Sequence, residues 1–448
     1  MKINILKNMK DYRGLHFAVY SSYIVMLMPL IKIIIGLALQ LLSGSYMPLG
    51  AMTRQLYIFA FLFPILFLAL DLYRIITKDR KIESFKTVIK NHPELFVLAL
   101  FLIWNIIATL LQKSLFGTSR AYTTILQPSG VQEGLFAFFI YGLCVLVAFL
   151  VKERQITTNI ITIFVAVAVV LSLLAIIDPN SSFIIHQTRS SRWPSVFINS
   201  NHYSYYLTLA TATCAMGVVL CQKSKLKWIL SIVLLTFFCI IMMLADTLGS
   251  NLAVWGVFIL IPIIMPIIKR KFDWKYLLPL GIFTATSFIV LLFSANLNST
   301  YTSFYSQVIN LIKEFFVVSS APLSAEASHA GTDRWSLWLK AFKIIKESPI
   351  IGNGNVLLRP HNEYLQFAQV WGIPSLIIYV GAFIIILVKA IKRRKVLSDL
   401  SIALLFVVLS YLVSALFGNT MPHTTPFFAM FVGFLIRELN NKKIDAEV

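Results

Sequence analysis

IITIFVAVAVVLSLLAII, residues 160–177, is eighteen consecutive residues without a charge. At 1.5 Å per helical residue it reaches about 27 Å, close to the roughly 30 Å of bilayer hydrocarbon. Working outward, comparable runs lie at 17–42, 56–72, 95–111, 135–151, 205–221, 228–245, 252–268, 276–293, 374–388, 400–417 and 427–436. The chain therefore reads as an all-α polytopic membrane protein of about twelve spans. Composition agrees: 58% of the 448 residues are hydrophobic and 13% charged, with mean hydropathy +0.80. A soluble domain, at roughly 45–50% and 25%, has no way to bury that much apolar surface.

A net charge of +20 would suggest nucleic acid in a soluble protein. Its distribution points instead to topology. Of the 39 Lys and Arg, about 27 fall on one side of the alternating loops and about 11 on the other, with Lys32 inside a span. The rich side, which includes 2–13, 74–90, 223–227, 269–275, 389–395 and 437–443, is predicted cytoplasmic, with both termini there. No nucleic-acid partner is expected; anionic lipid head groups are a secondary attraction. The first run is longer than a signal-peptide core and lacks a cleavage site, so it reads as a retained helix. The four cysteines sit in or at the ends of spans without metal or disulfide spacing.

Most loops are short. The exceptions, 178–203 and 294–372, are both predicted to lie outside. The chain then divides into spans one to nine (1–293), an extracytoplasmic loop (294–372) and spans ten to twelve with a cytoplasmic tail (373–448). Within the long loop, Trp335, Trp338, Leu339, Phe342 and Ile345 recur at helical spacing, with Lys340, Lys343 and Glu347 on the other faces. Thr332 or Asp333 is the expected N-cap, and Ser348-Pro349 the stop. Two placements fit this amphipathic helix: in the membrane interface, or packed on the bundle. Both put Arg334 in its first turn.

Ionisable residues within a bilayer are costly, at about 2.5–3.5 kcal/mol each, and few occur here. Lys32 is read as structural, snorkelling or pairing with a neighbouring helix. The outside gathers Arg189, Arg192, Arg334 and Arg359, with His186, His202, His329, His361 and Glu363. Outer loops are poor in positive charge, so arginines there need a reason. Either they grip lipid phosphates at the rim, or their planar forks bind a phosphorylated substrate bidentately. Gly352-Asn353-Gly354 and Arg359-Pro360-His361-Asn362-Glu363-Tyr364 provide turns and then the start of a helix. His361 is placed at that helix mouth, either as a cap or as a base for a hydroxyl proton.

These residues carry a family resemblance. HNEYLQFAQVWG, 361–372, resembles the signature of the O-antigen ligase and O-antigen polymerase superfamily. DRWSLWLKAFKIIKESPIIGNG, 333–354, is similar to that family's arginine, amphipathic helix and Gly-x-Gly approach. FINSNHYSYYL, from Phe197, resembles its Phe-x-Asn-x-Asn element. The resemblance implies a membrane glycosyltransferase that takes a glycan from a polyprenyl-diphosphate donor to a sugar hydroxyl at the outer face of the cytoplasmic membrane. It implies no nucleotide sugar, cofactor or metal.

Carried over residue by residue, His361 is the base on the acceptor and Arg334 holds the diphosphate. Arg192 and Arg359 are further diphosphate candidates, with Asn201, Asn362, Glu363 and Tyr364 in support. Fixed guanidinium groups suit a leaving group whose negative charge grows in the transition state. The lipid tail needs a lateral opening, which the helix 332–347 is placed to gate. One departure stands out: the family often carries Ser-Arg-Gly-Ala after the seventh span, where this chain reads Ser250-Asn251-Leu252-Ala253. Nothing in the chain points to an acceptor other than another lipid-linked glycan, which favours polymerisation over ligation. A transporter or flippase of lipid-linked saccharide is the rival reading; it predicts essential charges at mid-membrane and little need for the loop.

Overall fold

The structure is a computed structural model; it describes residues 5–43, 90–116, 134–179, 195–197, 199–221, 223–293, 304, 308–309, 312, 334–354, 359–421 and 423–441. Thirteen α-helices appear among them. They are α1 (Ile5–Ser43), α2 (Pro93–Phe116), α3 (Leu135–Leu150), α4 (Arg154–Ile177), α5 (Ser200–Leu220), α6 (Lys225–Leu244) and α7 (Leu248–Lys269). Then come α8 (Leu278–Phe293), α9 (Arg334–Glu347), α10 (Glu363–Trp371), α11 (Ile373–Lys392), α12 (Asp399–Ser414) and α13 (Thr425–Leu439). The described residues contain no strand. Helices satisfy every backbone hydrogen bond within one segment, as a hydrocarbon solvent requires.

Eleven of the twelve apolar runs coincide with helices, and the run 56–72 lies outside the described residues. Eight described helices are long and apolar enough to cross a membrane, and α3 and α12 are shorter apolar ones. The protein is a polytopic helical membrane protein.

Its centre is α5. Of that span 83% is buried, against 28–44% for the other seven, although α5 carries Thr208, Thr211 and Ser204 and is the least apolar of the eight. The most apolar spans need no protein around them because lipid serves as well, whereas a helix with hydroxyls belongs inside. Helices α4, α6, α7 and α12 pack around α5, and α13 packs against α3 and α12. Aromatic rings fill the seams: Phe164 meets Phe431 at 5.2 Å, and Tyr411 stacks on Phe428 at 3.8 Å.

Helix α9 is the predicted amphipathic helix, and it packs against α10. Its buried face is rotated from the expected stripe. Ala341 and Ile345 are buried, while Phe342 is 49% exposed. The ring of Trp338 reaches the bundle, its Nε1 donating to the Pro360 carbonyl at 2.8 Å. The predicted caps Thr332 and Asp333 lie outside the described residues; the helix ends at Glu347, ahead of Ser348-Pro349.

Candidate active site

The site is built on the way the loop re-enters the bundle. Gly352, Gly354 and Gly372 all have positive φ, at 68°, 69° and 85°. Glycine is needed at two of them for space as well: a Cβ on Gly352 would strike the Val370 carbonyl, and one on Gly372 the Ile350 carbonyl. The two passes of chain are therefore in backbone contact. Asn353 N donates to Gln369 O at 3.0 Å, Gly354 N to Val370 O at 3.2 Å, and Ile373 N to Pro349 O at 2.7 Å.

Helix α2 clamps this crossing with side chains from one stripe. Gln112 Nε2 donates to the Ile351 and Val370 carbonyls at 2.5 and 2.7 Å. Trp104 Nε1 donates to the Trp371 carbonyl at 2.9 Å, Trp371 Nε1 to Thr109 Oγ1 at 3.1 Å, and Ser375 Oγ to Asn105 Oδ1 at 2.7 Å. Irregular backbone at membrane depth survives only where protein groups satisfy it, and α2 supplies those groups.

On that platform stands α10. Asn362 is its N-cap, with Oδ1 accepting from Leu365 N at 3.0 Å. The side chain of Asn362 is thus committed to the helix. His361, one residue earlier, adopts φ 51°, a left-handed conformation uncommon outside glycine. Its half-buried ring makes no hydrogen bond to a described residue. Burial first, and then the charges of Arg334 and Arg359, lower its pKa to about 4. At neutral pH the imidazole is uncharged and able to take a proton.

The structure brings Arg334, Arg359 and His361 together, since both guanidinium charges act on the imidazole. Arg334, half-buried in the first turn of α9, forms no ion pair or hydrogen bond with a described residue, and its charge also reaches Tyr205 on α5. Arg192 lies outside the described residues, as do Arg189, His186 and His329. Asn201 is half-buried in the first turn of α5; its backbone N–H donates to Asn199 Oδ1 at 2.8 Å, which makes Asn199 the cap.

Glu363 and Tyr364 turn to the bundle. Glu363 is 1% exposed. Its two carboxyl oxygens accept from Tyr379 OH at 2.9 Å and Tyr411 OH at 3.1 Å. Tyr411 OH also contacts Thr425 Oγ1 at 2.9 Å. Burial raises the Glu363 pKa to about 7, and the two tyrosine hydrogen bonds oppose that rise. Tyr364 OH donates to the Leu412 carbonyl at 2.7 Å. Both residues thus hold α10 on α11 and α12.

Sequence reasoning missed three further features. His202 on α5 stacks on His423 at 5.3 Å, an arrangement hidden by more than two hundred intervening residues. Lys32 is 4% exposed, pairs with no described residue, and lies within reach of His202 and His423. An apolar cavity of about 170 Å³ lies between α2, α3, α11 and α13. Leu98, Phe101, Phe138, Leu146 and Phe428 line it, and Glu363 borders it on the α10 side.

Fold and site together define a polytopic helical membrane protein in which a neutral histidine stands beside two arginines at one end of the bundle. Residues 230–380, about a third of the chain, match the family model described as O-antigen ligase. That match supports the chain's resemblance to the O-antigen ligase and O-antigen polymerase superfamily. The matched stretch contains Arg334, Arg359 and His361, together with Asn251 where the family often has arginine. No curated protein matches the chain.

Proposed function

We propose that this chain transfers a glycan from a polyprenyl-diphosphate donor to a sugar hydroxyl at the outer face of the bacterial cytoplasmic membrane, with both termini in the cytoplasm and the segment 294–372 as the catalytic loop. One observation carries the reading: an uncharged His361 beside Arg334 and Arg359 on a backbone fixed by α2 and α10. His361 accepts the acceptor hydroxyl proton as that oxygen bonds to the anomeric carbon. The bond from that carbon to the diphosphate oxygen breaks, with inversion, and the electron pair leaves with the diphosphate. Arg334 and Arg359 stabilise the charge that grows there. Guanidinium groups perform this task without a divalent ion, so activity in chelator is expected. The apolar cavity beside Glu363 supports a place for the isoprenoid chain. Nothing in the chain indicates an acceptor other than another lipid-linked glycan, which favours polymerisation.

The test is purified protein incubated with a polyprenyl-diphosphate oligosaccharide, with and without chelator, following released polyprenyl diphosphate and lengthened glycan. His361→Ala is expected to lower turnover by about 10²–10⁴-fold. The wild-type rate should fall as pH drops through about 4, where His361 takes up its proton, and the variant should lose that limb. Full activity in His361→Ala removes the base and the mechanism with it.

A further inference from the structure

Six buried polar side chains gather where α5, α7 and the turn ahead of α13 meet. Ser204 lies on α5, Thr247, Ser250 and Asn251 at the start of α7, and Asn419 and Thr420 in the turn. None is more than 5% exposed. The hydroxyl of each Ser and Thr, and the side-chain oxygen of each Asn, has no hydrogen-bond partner among the described residues. Most buried polar atoms in folded proteins are partnered, so six in one region call for a ligand.

The three elements touch around Tyr205. Its OH donates to the Phe417 carbonyl at 2.6 Å. A Cβ on Gly249 would strike Phe417 and crowd the Tyr205 hydroxyl, and one on Gly418 would strike the Tyr205 ring. The turn is also tied to α10: Glu363 N donates to Ala415 O at 2.8 Å, and Thr420 N to Gln366 Oε1 at 3.3 Å. The charge of Arg334 reaches Tyr205. The six side chains therefore adjoin the Arg334 and His361 site.

Their chemistry differs from that site. Four hydroxyls and two amides offer both donors and acceptors and carry no charge. Such a set matches a polyhydroxylated ring better than a phosphate, which calls for cations. We propose that these side chains form the subsite for the sugar directly attached to the donor diphosphate, a proposal that rests on the donor reading above. Phosphate charge goes to the arginines, and sugar hydroxyls go to the neutral wall beside them. Because the wall is covered by the turn and α10, loading requires the turn to move from α5.

The experiment measures binding of three probes to the full chain in nanodiscs: undecaprenyl diphosphate, and the same lipid bearing one glucose or one N-acetylglucosamine. Wild type is expected to hold at least one glycosylated probe about tenfold or more tighter than the bare lipid. The N251L/T420V double variant, which keeps side-chain size and removes hydrogen-bonding groups, is expected to bind all three alike. Each single variant should lose part of the preference, and since the replaced groups have no hydrogen-bond partner among the described residues, thermal midpoints should hold or rise. Lipid binding without a sugar preference in wild type, or a preference intact in the folded double variant, overturns the subsite alone. Failure of wild type to bind any of the three overturns the donor reading as well.

Discussion

The two ends of the helix bundle treat charge in opposite ways. Away from the loop, cations meet anions: Arg154 pairs with Glu438 at 2.8 Å, Lys269 with Asp399 at 2.7 Å, and Lys389 with Glu94 at 2.9 Å. Lys389 also reaches the Asn91 carbonyl, and Glu94 accepts from Asn440 at 2.7 Å. At the loop end, Arg334 and His361 make no bond to a described residue, and a wall of buried hydroxyls and amide oxygens has no hydrogen-bond partner among the described residues. Charge that is neutralised within the protein stabilises the fold and does little else. Charge and polarity left unmatched reduce stability, and a ligand that supplies the missing partners recovers the loss. Removing groups should therefore have opposite signatures at the two ends: function without stability at one, stability without function at the other.

Arg334→Lys tests the loop end most sharply. The substitution keeps the charge but replaces a bidentate fork with a point charge, and turnover is expected to fall by about 10- to 100-fold. The thermal midpoint should stay at the wild-type value, because Arg334 has no partner among the described residues to lose. Steady-state transfer and thermal unfolding on the same preparation check both halves. A destabilised but fully active variant would show that Arg334 belongs to the architecture, and the contrast between the ends would fail.

Gln112→Leu probes what connects the two regimes, since Gln112 is fully buried and holds the loop crossing from within a span. Loss of its donor leaves the Ile351 carbonyl unsatisfied and should cost about 1–3 kcal/mol. A misplaced α10 should also lower turnover about tenfold; turnover at the wild-type level would show that α2 is not needed to position His361. This residue also marks the limit of what the sequence discloses. The spans were legible because hydrocarbon length and hydropathy act on each segment separately. Arg334 and His361 as candidates, and the glycines, were legible because their types stand out in an apolar chain. Trp104, Asn105, Thr109 and Gln112 look like tolerated interruptions of a span, and the partners of Gln112 lie 239 and 258 residues away. The same distance effect hid the two tyrosines on Glu363 and the pairing of His202 with His423. Burial inside a bundle is decided by packing between helices, which hydropathy along one helix does not record.

At the far end the effects are expected to be on stability, graded by burial. Lys389→Met removes a partner from Glu94, which is 1% exposed and already has one carboxyl oxygen without a partner among the described residues. The cost should approach the roughly 3–5 kcal/mol of a broken buried pair, reduced to the extent that Glu94 takes up a proton. Lys269→Ala is the smallest change of the series. Its pair with Asp399 has side chains 35% and 62% exposed, so water and salt already screen it, and the loss should stay within about 1 kcal/mol. That loss should shrink further at high ionic strength. Thermal unfolding of both variants in low and high salt, with glycan transfer measured in parallel, separates the cases. Both are expected to turn over substrate at the wild-type rate while folded. A Lys269→Ala variant that unfolds as readily as Lys389→Met would mean that this end is held together by long-range charge rather than by the buried network around Glu94.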